Sequence, residues 1–229
     1  MLALMPDENR QVAAGRDFWV GHLHGEPVVA VLSRIGKVAA ATTATVLLER
    51  FGVSRIVFTG VAGGLAPGVE VGDIVVADSF LQHDLDASPI FPKYQVPLYG
   101  LDRFAADPHL SDQLATAAQR ALPGVRLHRG LVVSGDRFVS TTAESRALQD
   151  ALPQALAVEM EGAAIAQVCH DYRVPFAAVR TVSDRADDEA HVDFTRFIQQ
   201  VASRYCAAIV GSFLQLGSSH APASGSASI

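Results

Sequence analysis

Apolar and polar positions along this chain switch repeatedly between two periods, and each switch marks an element. Phe18 to Leu23 and Pro27 to Leu32 flank His24-Gly25 and read as paired strands around a turn. Lys37 to Phe51 carries helical periodicity, and Ile56 to Thr59 is a short buried strand. Gly72 to Phe80 is a further strand, entered through the turn at Pro67-Gly68. Helices are predicted over Pro108 to Leu122 and Ala143 to Leu152, with a strand at Leu127 to Val133 between them. Ala155 to Val158 is a short apolar run, after which Ala163, Ile165, Ala166 and Val168 continue with helical character. Val174 to Val179 is continuously apolar, as a strand buried on both faces of a parallel sheet requires. A last helix is expected from about Asp193 to Leu216. Strands alternating with helices in this way predict an α/β fold.

Two stretches escape the pattern. Residues 87–104 are rich in Pro and Tyr and read as a long irregular loop, a kind that is often functional. Residues 217–229 are Ser, Ala, Gly and Pro without periodicity, so a disordered tail is expected after a single domain spanning 1–216. At 229 residues the chain suffices for one substantial core, with 49% hydrophobic and 18% charged residues. A net charge of −6, without basic clusters, excludes a nucleic-acid binder. Cys169 and Cys206 sit in apolar helical segments and read as buried thiols. The chain shows no leader pattern and no run of 18 apolar residues, so no membrane partner and a cytoplasmic location are expected.

The chemistry concentrates where strands end. In Val158-Glu159-Met160-Glu161-Gly162-Ala163-Ala164, an apolar strand turns into a helix through two acids. Both could simply complement the positive end of that helix. Glu161, between Met160 and Gly162, could instead offer two acceptor oxygens to adjacent hydroxyls, as on a ribose. In Val179-Arg180-Thr181-Val182-Ser183-Asp184, a second acid closes the next strand. Ser183-Asp184 could be a turn or helix cap. Beside an apolar pocket, Asp184 could also hold or deliver a proton. Being protonated near neutrality requires a rise of about 3 pH units over the ordinary Asp value. Ligands gather outside the carboxyl ends of α/β strands, so the two acids can converge on one small molecule.

Those two segments, together with Ile35-Gly36-Lys37-Val38-Ala39, Thr59-Gly60-Val61-Ala62-Gly63-Gly64-Leu65 and Val133-Ser134-Gly135-Asp136-Arg137-Phe138-Val139, stand in an order and spacing similar to the 5′-methylthioadenosine/S-adenosylhomocysteine nucleosidases of the nucleoside phosphorylase superfamily. The resemblance covers about residues 17–213 and implies a three-layer α/β/α fold with a central mixed sheet. It implies hydrolysis of the bond between adenine and a 5′-thio-substituted ribose, with no metal or organic cofactor. Asp184 resembles the acid acting on purine N7, and Ser183 its positioning neighbour. Glu161 resembles the ribose-diol ligand, with Met160 against the sugar. Phe138 resembles the base-stacking ring and Val139 the backbone reading the adenine edge. Arg180 resembles the residue helping to hold the attacking water, and Phe194 the lid aromatic. Val61 stands where a serine is frequent in the family, and Arg34 where a glycine is. The resemblance also implies a homodimer in which loop 87–104, through Phe91 and Tyr94, reaches the neighbouring subunit's site.

Family members begin with a strand and an acidic stretch whose glutamate activates the water. Here Met1 to Pro6 resembles the end of the helix after that stretch, so the base and a strand of the sheet are expected to be absent from this chain. Glu8, after Pro6-Asp7, is expected on a solvated turn. Two alternatives follow: a purine nucleoside phosphorylase, or a catalytically impaired adenine-nucleoside-binding protein. The His83-Asp84-Leu85-Asp86 stretch reads as a polar loop rather than a metal site, and no Gly-x-Ser-x-Gly elbow is present.

Overall fold

The structure, a computed structural model, describes residues 2–197, 201 and 203–218. After a 3-10 turn at Leu2–Leu4, strands β1 (Asn9–Ala13), β2 (Arg16–Leu23) and β3 (Glu26–Val31) form an antiparallel sheet. Helix α1 (Lys37–Phe51) follows, then β4 (Ile56–Gly64), β5 (Ile74–Gln82), β6 (Arg103–Ala105), α2 (Pro108–Ala121), β7 (Leu127–Ser134) and α3 (Thr142–Ala151). The chain continues through β8 (Ala155–Glu159), α4 (Gly162–Tyr172), β9 (Phe176–Asp184), α5 (Ala190–Phe197) and α6 (Ser203–Ser218). The second sheet is mixed, in the order β6-β5-β7-β8-β4-β9. β5 also pairs antiparallel with β9 through Ile74, Val75 and Val76, so the sheet curls into a barrel-like closure.

Side chains alternate across a strand, and this divides the core between the two helical layers. Val75, Ala77 and Phe80 of β5 and Phe176, Ala178 and Val182 of β9 pack with α1 and α4. Ile74 and Val76, with Ala177 and Val179, pack with α2 and α6 on the other face. The expected three-layer α/β arrangement with a mixed sheet is therefore present. Strands buried on both faces explain the continuously apolar runs: every residue of β9 is buried. Full burial of such side chains is worth roughly 1.5–3 kcal/mol each.

Several boundaries differ from expectation. β1 is an additional strand, hidden by its polar composition and exposed face. β4 runs on through Gly60–Gly64, with a register shift between Ala62 and Gly63, so these glycines lie in a strand rather than a turn. Ser183 and Asp184 likewise belong to β9 and cap no helix. The loop at 87–104 ends in the edge strand β6 and contains a bridge between Val96 and Leu101. Of the expected last helix, Ala190–Phe197 and Ser203–Ser218 are helical among the described residues, and α6 extends to Ser218 where a tail was expected from residue 217. Residues 219–229 lie outside the described residues.

Candidate active site

Asp184 ends β9 with 2% of its surface exposed. Its Oδ2 accepts a hydrogen bond from the Ser183 hydroxyl at 2.8 Å, and its Oδ1 one from the Ala186 amide at 2.9 Å. Gly63 of the neighbouring strand makes room for it. A Cβ built at Gly63 would lie 2.8 Å from Asp184 Oδ1 and 3.0 Å from Ala186 Cβ. The glycine run in β4 thus lets a carboxylate lie directly against a strand.

The two glutamates after β8 have different partners. Glu159 is buried and takes the amides of Gly162 at 2.9 Å and Glu161 at 3.2 Å, satisfying the start of α4. It also accepts from the Ser134 hydroxyl, and from Arg180 Nη2 at 2.7 Å. Of the two glutamates, only Glu159 complements the helix, with the Ser134 hydroxyl accepting the Ala163 amide beside it. Glu161, the N-cap residue of α4, makes no side-chain capping bond to that helix. Its Oε1 accepts from the Gly36 amide at 2.8 Å, at the start of α1. Gly36 holds φ 92°, a left-handed value that favours glycine, and this conformation precedes the first turn of α1. Lys37, next along, donates its amide to Asp136 at 2.7 Å. Burial, joined by the nearby charge of Glu159, pushes the Glu161 carboxyl above its ordinary value; the Gly36 amide and Arg180 pull the other way.

Arg180 is 1% exposed, with its guanidinium 3.9 Å from the centre of the Phe58 ring. Its charge is committed to Glu159, and its Nε has no partner among the described residues. A role in holding water would use Nε–H or the Nη hydrogens not given to Glu159 and Val179.

A cavity of about 1680 Å³ brings the expected residues together. Asp184, Ser183, Arg180, Glu161, Met160, Phe138, Val139, Phe194 and Val61 all border it. Phe138 and Phe194 meet edge to face, with ring centres 5.7 Å apart. Phe91 and Tyr94 do not border it, and Glu8 is exposed just before β1, away from it. Glu159, Ser134 and the Gly36 amide are parts of the site that sequence reasoning did not assign. Their signal was present in the motifs around them, but one strand and two helix starts had to be folded before their contacts could be read. No group of three His, Cys, Asp or Glu side chains among the described residues is placed to hold a metal ion. The described helices include none long and apolar enough to cross a membrane.

A mixed sheet between helical layers, with acids closing β8 and β9 over one cavity, is the arrangement of the phosphorylase superfamily. The sequence profile of that superfamily matches residues 5–215, and the chain belongs to it. Solved structures make the likeness more particular. The chain is similar to the 5′-methylthioadenosine/S-adenosylhomocysteine nucleosidase from Neisseria meningitidis in complex with methylthio-immucillin-A: 35% identity, 94% of this chain and 92% of that chain covered, TM-score 0.88. It is similar to the corresponding nucleosidase from S. pneumoniae with a transition-state inhibitor, at 34% identity, 93% and 91% coverage and TM-score 0.84. It is also similar to the futalosine hydrolase of Helicobacter pylori, at 31% identity, 94% and 91% coverage and TM-score 0.86.

Proposed function

We propose that the protein hydrolyses the N-glycosidic bond of 5′-methylthioadenosine and S-adenosylhomocysteine, releasing adenine and the thio-ribose. The observation that carries this reading is the placement of Asp184 and Glu161 on one cavity, each held by its own hydrogen bonds. Similarity to two nucleosidases that bind adenine-nucleoside analogues supports the substrate class. In this reading adenine lies against Phe138 with its edge at the Val139 backbone. Asp184, positioned by Ser183, donates a proton or hydrogen bond to N7 as the C1′–N9 bond breaks and its electron pair passes to the base. Glu161 accepts hydrogen bonds from the ribose diol, with Met160 and Val61 nearby. Its negative charge also stabilises the positive charge growing on the sugar. Water then adds at C1′ and loses a proton to a general base, a role the resemblance gives to a glutamate. Phe194 lies over the sugar and 5′ group.

The chemistry fits salvage of methylthio-nucleosides in the cytoplasm by a homodimer. Exposed Ile35, Val38, Ile90 and Leu98 are apolar surface that a second copy would cover. Phe91 and Tyr94 would then contribute to the partner's 5′ pocket.

The test is adenine release from 5′-methylthioadenosine, with and without phosphate. It is run on this chain and on a form carrying an added upstream strand and acidic stretch. Phosphate-independent release that falls by about 10²–10⁴-fold in Asp184→Asn supports the reading. Release that requires phosphate would make the protein a phosphorylase. Binding of the nucleoside without release by either form would make it a binding protein.

A further inference from the structure

Helix α1 begins without a side-chain cap from its own N-cap residue, Gly36. Two carboxylates from distant parts of the chain take its first amides instead. Glu161 accepts from Gly36, and Asp136 Oδ1 accepts from Lys37 at 2.7 Å. Acids so placed also meet the positive end of the helix. A Cβ at Gly36 would lie 3.0 Å from Asp136 Oδ1, so the glycine permits this approach. The first turn of α1 is thus where the acid assigned to ribose meets the loop after β7, which carries Phe138 and Val139.

A single amide–carboxylate bond would leave that meeting point hinged, and a second tie closes it. Lys37 Nζ donates to Asp84 Oδ1 at 2.6 Å and to Gln82 Oε1 at 3.0 Å. Asp84 Oδ2 accepts from the Asp136 amide at 2.9 Å. The bonds close a ring from the Lys37 amide through Asp136 and Asp84 back to the Lys37 side chain. Asp84 is itself fixed. Gln82 ends β5 in register with Ser134 of β7, and the His83 amide donates to the Ser134 carbonyl at 2.9 Å. The His83 ring lies against Gly135, where a Cβ would overlap it. Exposed ion pairs contribute little, but the Lys37 side chain is only 17% exposed and that of Asp84 31%. Burial would raise the Asp84 carboxyl, yet Lys37 and the Asp136 amide outweigh it and hold it below its ordinary value. Lys37, Asp84 and Asp136 do not border the cavity, so what they do for a ligand they do through their neighbours.

We propose that Lys37 and Asp84 are positioning residues of the nucleoside site, whose ion pair fastens the first turn of α1 to the loop after β7. The proposal rests on the nucleosidase reading and deepens it. The pair fixes the Gly36 amide, which orients Glu161, relative to the Phe138 ring. Adenine alone uses the loop and Asp184, whereas a whole nucleoside must satisfy the loop and Glu161 together. The pair therefore governs the joint fit of base and sugar and leaves the grip on the base unchanged. A ligand anchored at both ends loses more from a displaced first turn than one anchored at a single end.

The test is calorimetric titration of adenine and of 5′-methylthioadenosine into the chain, into Lys37→Met and Asp84→Asn, and into the double variant. Methionine keeps most of the lysine stem and removes its charge. Asparagine keeps an acceptor for the Asp136 amide and presents its NH2 to Lys37. Each change thus breaks the same link. The expected result is at least about tenfold weaker binding of the nucleoside in each single variant, with adenine within about threefold of its original affinity. The double variant should bind the nucleoside no more weakly than the weaker single, because one interaction is removed in all three. The proposal is overturned if adenine and nucleoside weaken together, as general damage to the site would produce, or if neither weakens. Single losses that add in the double variant overturn it too. Binding of neither compound by the unaltered chain overturns the nucleosidase reading and this proposal with it. Nucleoside binding that the variants retain in full overturns this proposal alone, so the two failures are distinguishable without any measurement of turnover.

Discussion

Replacing Glu159 by glutamine removes one charge from a network in which each carboxylate oxygen already faces donors. Oε2 receives Arg180 Nη2 and the Glu161 and Gly162 amides, while Oε1 receives the Ser134 hydroxyl and the Gly162 amide. A glutamine keeps one acceptor and sets an NH2 against donors on the other side. It also leaves the Arg180 guanidinium, 1% exposed, without its counter-charge. Breaking a buried ion pair by removing one partner costs about 3–5 kcal/mol. In a domain of this size each kcal/mol lowers Tm by about 2–4 °C, so Glu159→Gln should lower it by about 6–20 °C. The double variant Glu159→Gln/Arg180→Met removes the stranded cation as well. It should be less destabilised than the sum of the two single changes, by about 2 kcal/mol of coupling. Calorimetry on the four proteins, with urea melts for the free energies, measures both quantities. A Glu159→Gln shift under about 3 °C would refute the reasoning, as would strict additivity in the double variant.

Three further outcomes follow from the same geometry. Gly63→Ala puts a methyl 2.8 Å from Asp184 Oδ1, and the displaced acid should cost about 10²-fold in kcat/KM for adenine release; unchanged kinetics would mean that the position of Asp184 does not matter. The raised carboxyl of Glu161 implies that the form able to accept hydrogen bonds from both ribose hydroxyls is lost, as pH falls, above the ordinary value of 4.5. The acid limb of kcat/KM should therefore contain a step above 4.5, and its absence from the profile would count against Glu161 as the diol ligand. Burial would raise Asp73, but the Glu70 amide, His128 and Arg126 outweigh it and hold the carboxyl below 3.8. A lowered acid stabilises the fold above its unfolded value and loses that contribution as pH falls through the folded one. Asp73→Asn should accordingly cost about 1.5–3 kcal/mol at pH 7. That gap should narrow below pH 3.8, and urea melts showing a constant gap would contradict it.

The elements that could be read from the sequence are those whose burial is regular. β9, buried on both faces, and α1, with its spaced apolar face, both announce themselves in composition. β1 does not, because Asn9–Ala13 lies at the edge of a hairpin sheet and is mainly polar. The extension of β4 through Gly60–Gly64 was hidden for a different reason. Glycine has low strand propensity, and here its absence of a side chain serves Asp184 and Arg180 across the sheet rather than β4 itself. Both acids of the site were visible as acids at strand ends. Their partners were not, since the Gly36 amide that meets Glu161 lies 125 residues away in sequence.

Glu159 and Glu161 show why such a site cannot be divided by residue type alone. Two carboxylates two positions apart repel each other, and both cannot remain charged in a closed space without compensation. The fold separates their work by direction. Glu159 belongs to β8, where the buried neighbours are Arg180 on β9 and Ser134 on β7, so it gains a counter-charge and a hydroxyl. Glu161 falls two residues beyond the strand, at the N-cap of α4, and its side chain turns to the start of α1. There it has only backbone hydrogen bonds, from Gly36 and Met160, and a face on the cavity. The charge that Glu159 commits to Arg180 is thus what leaves Glu161 free for a ligand. Neutralising Arg180 alone should raise the Glu161 carboxyl further, because Arg180 is among the groups that lower it.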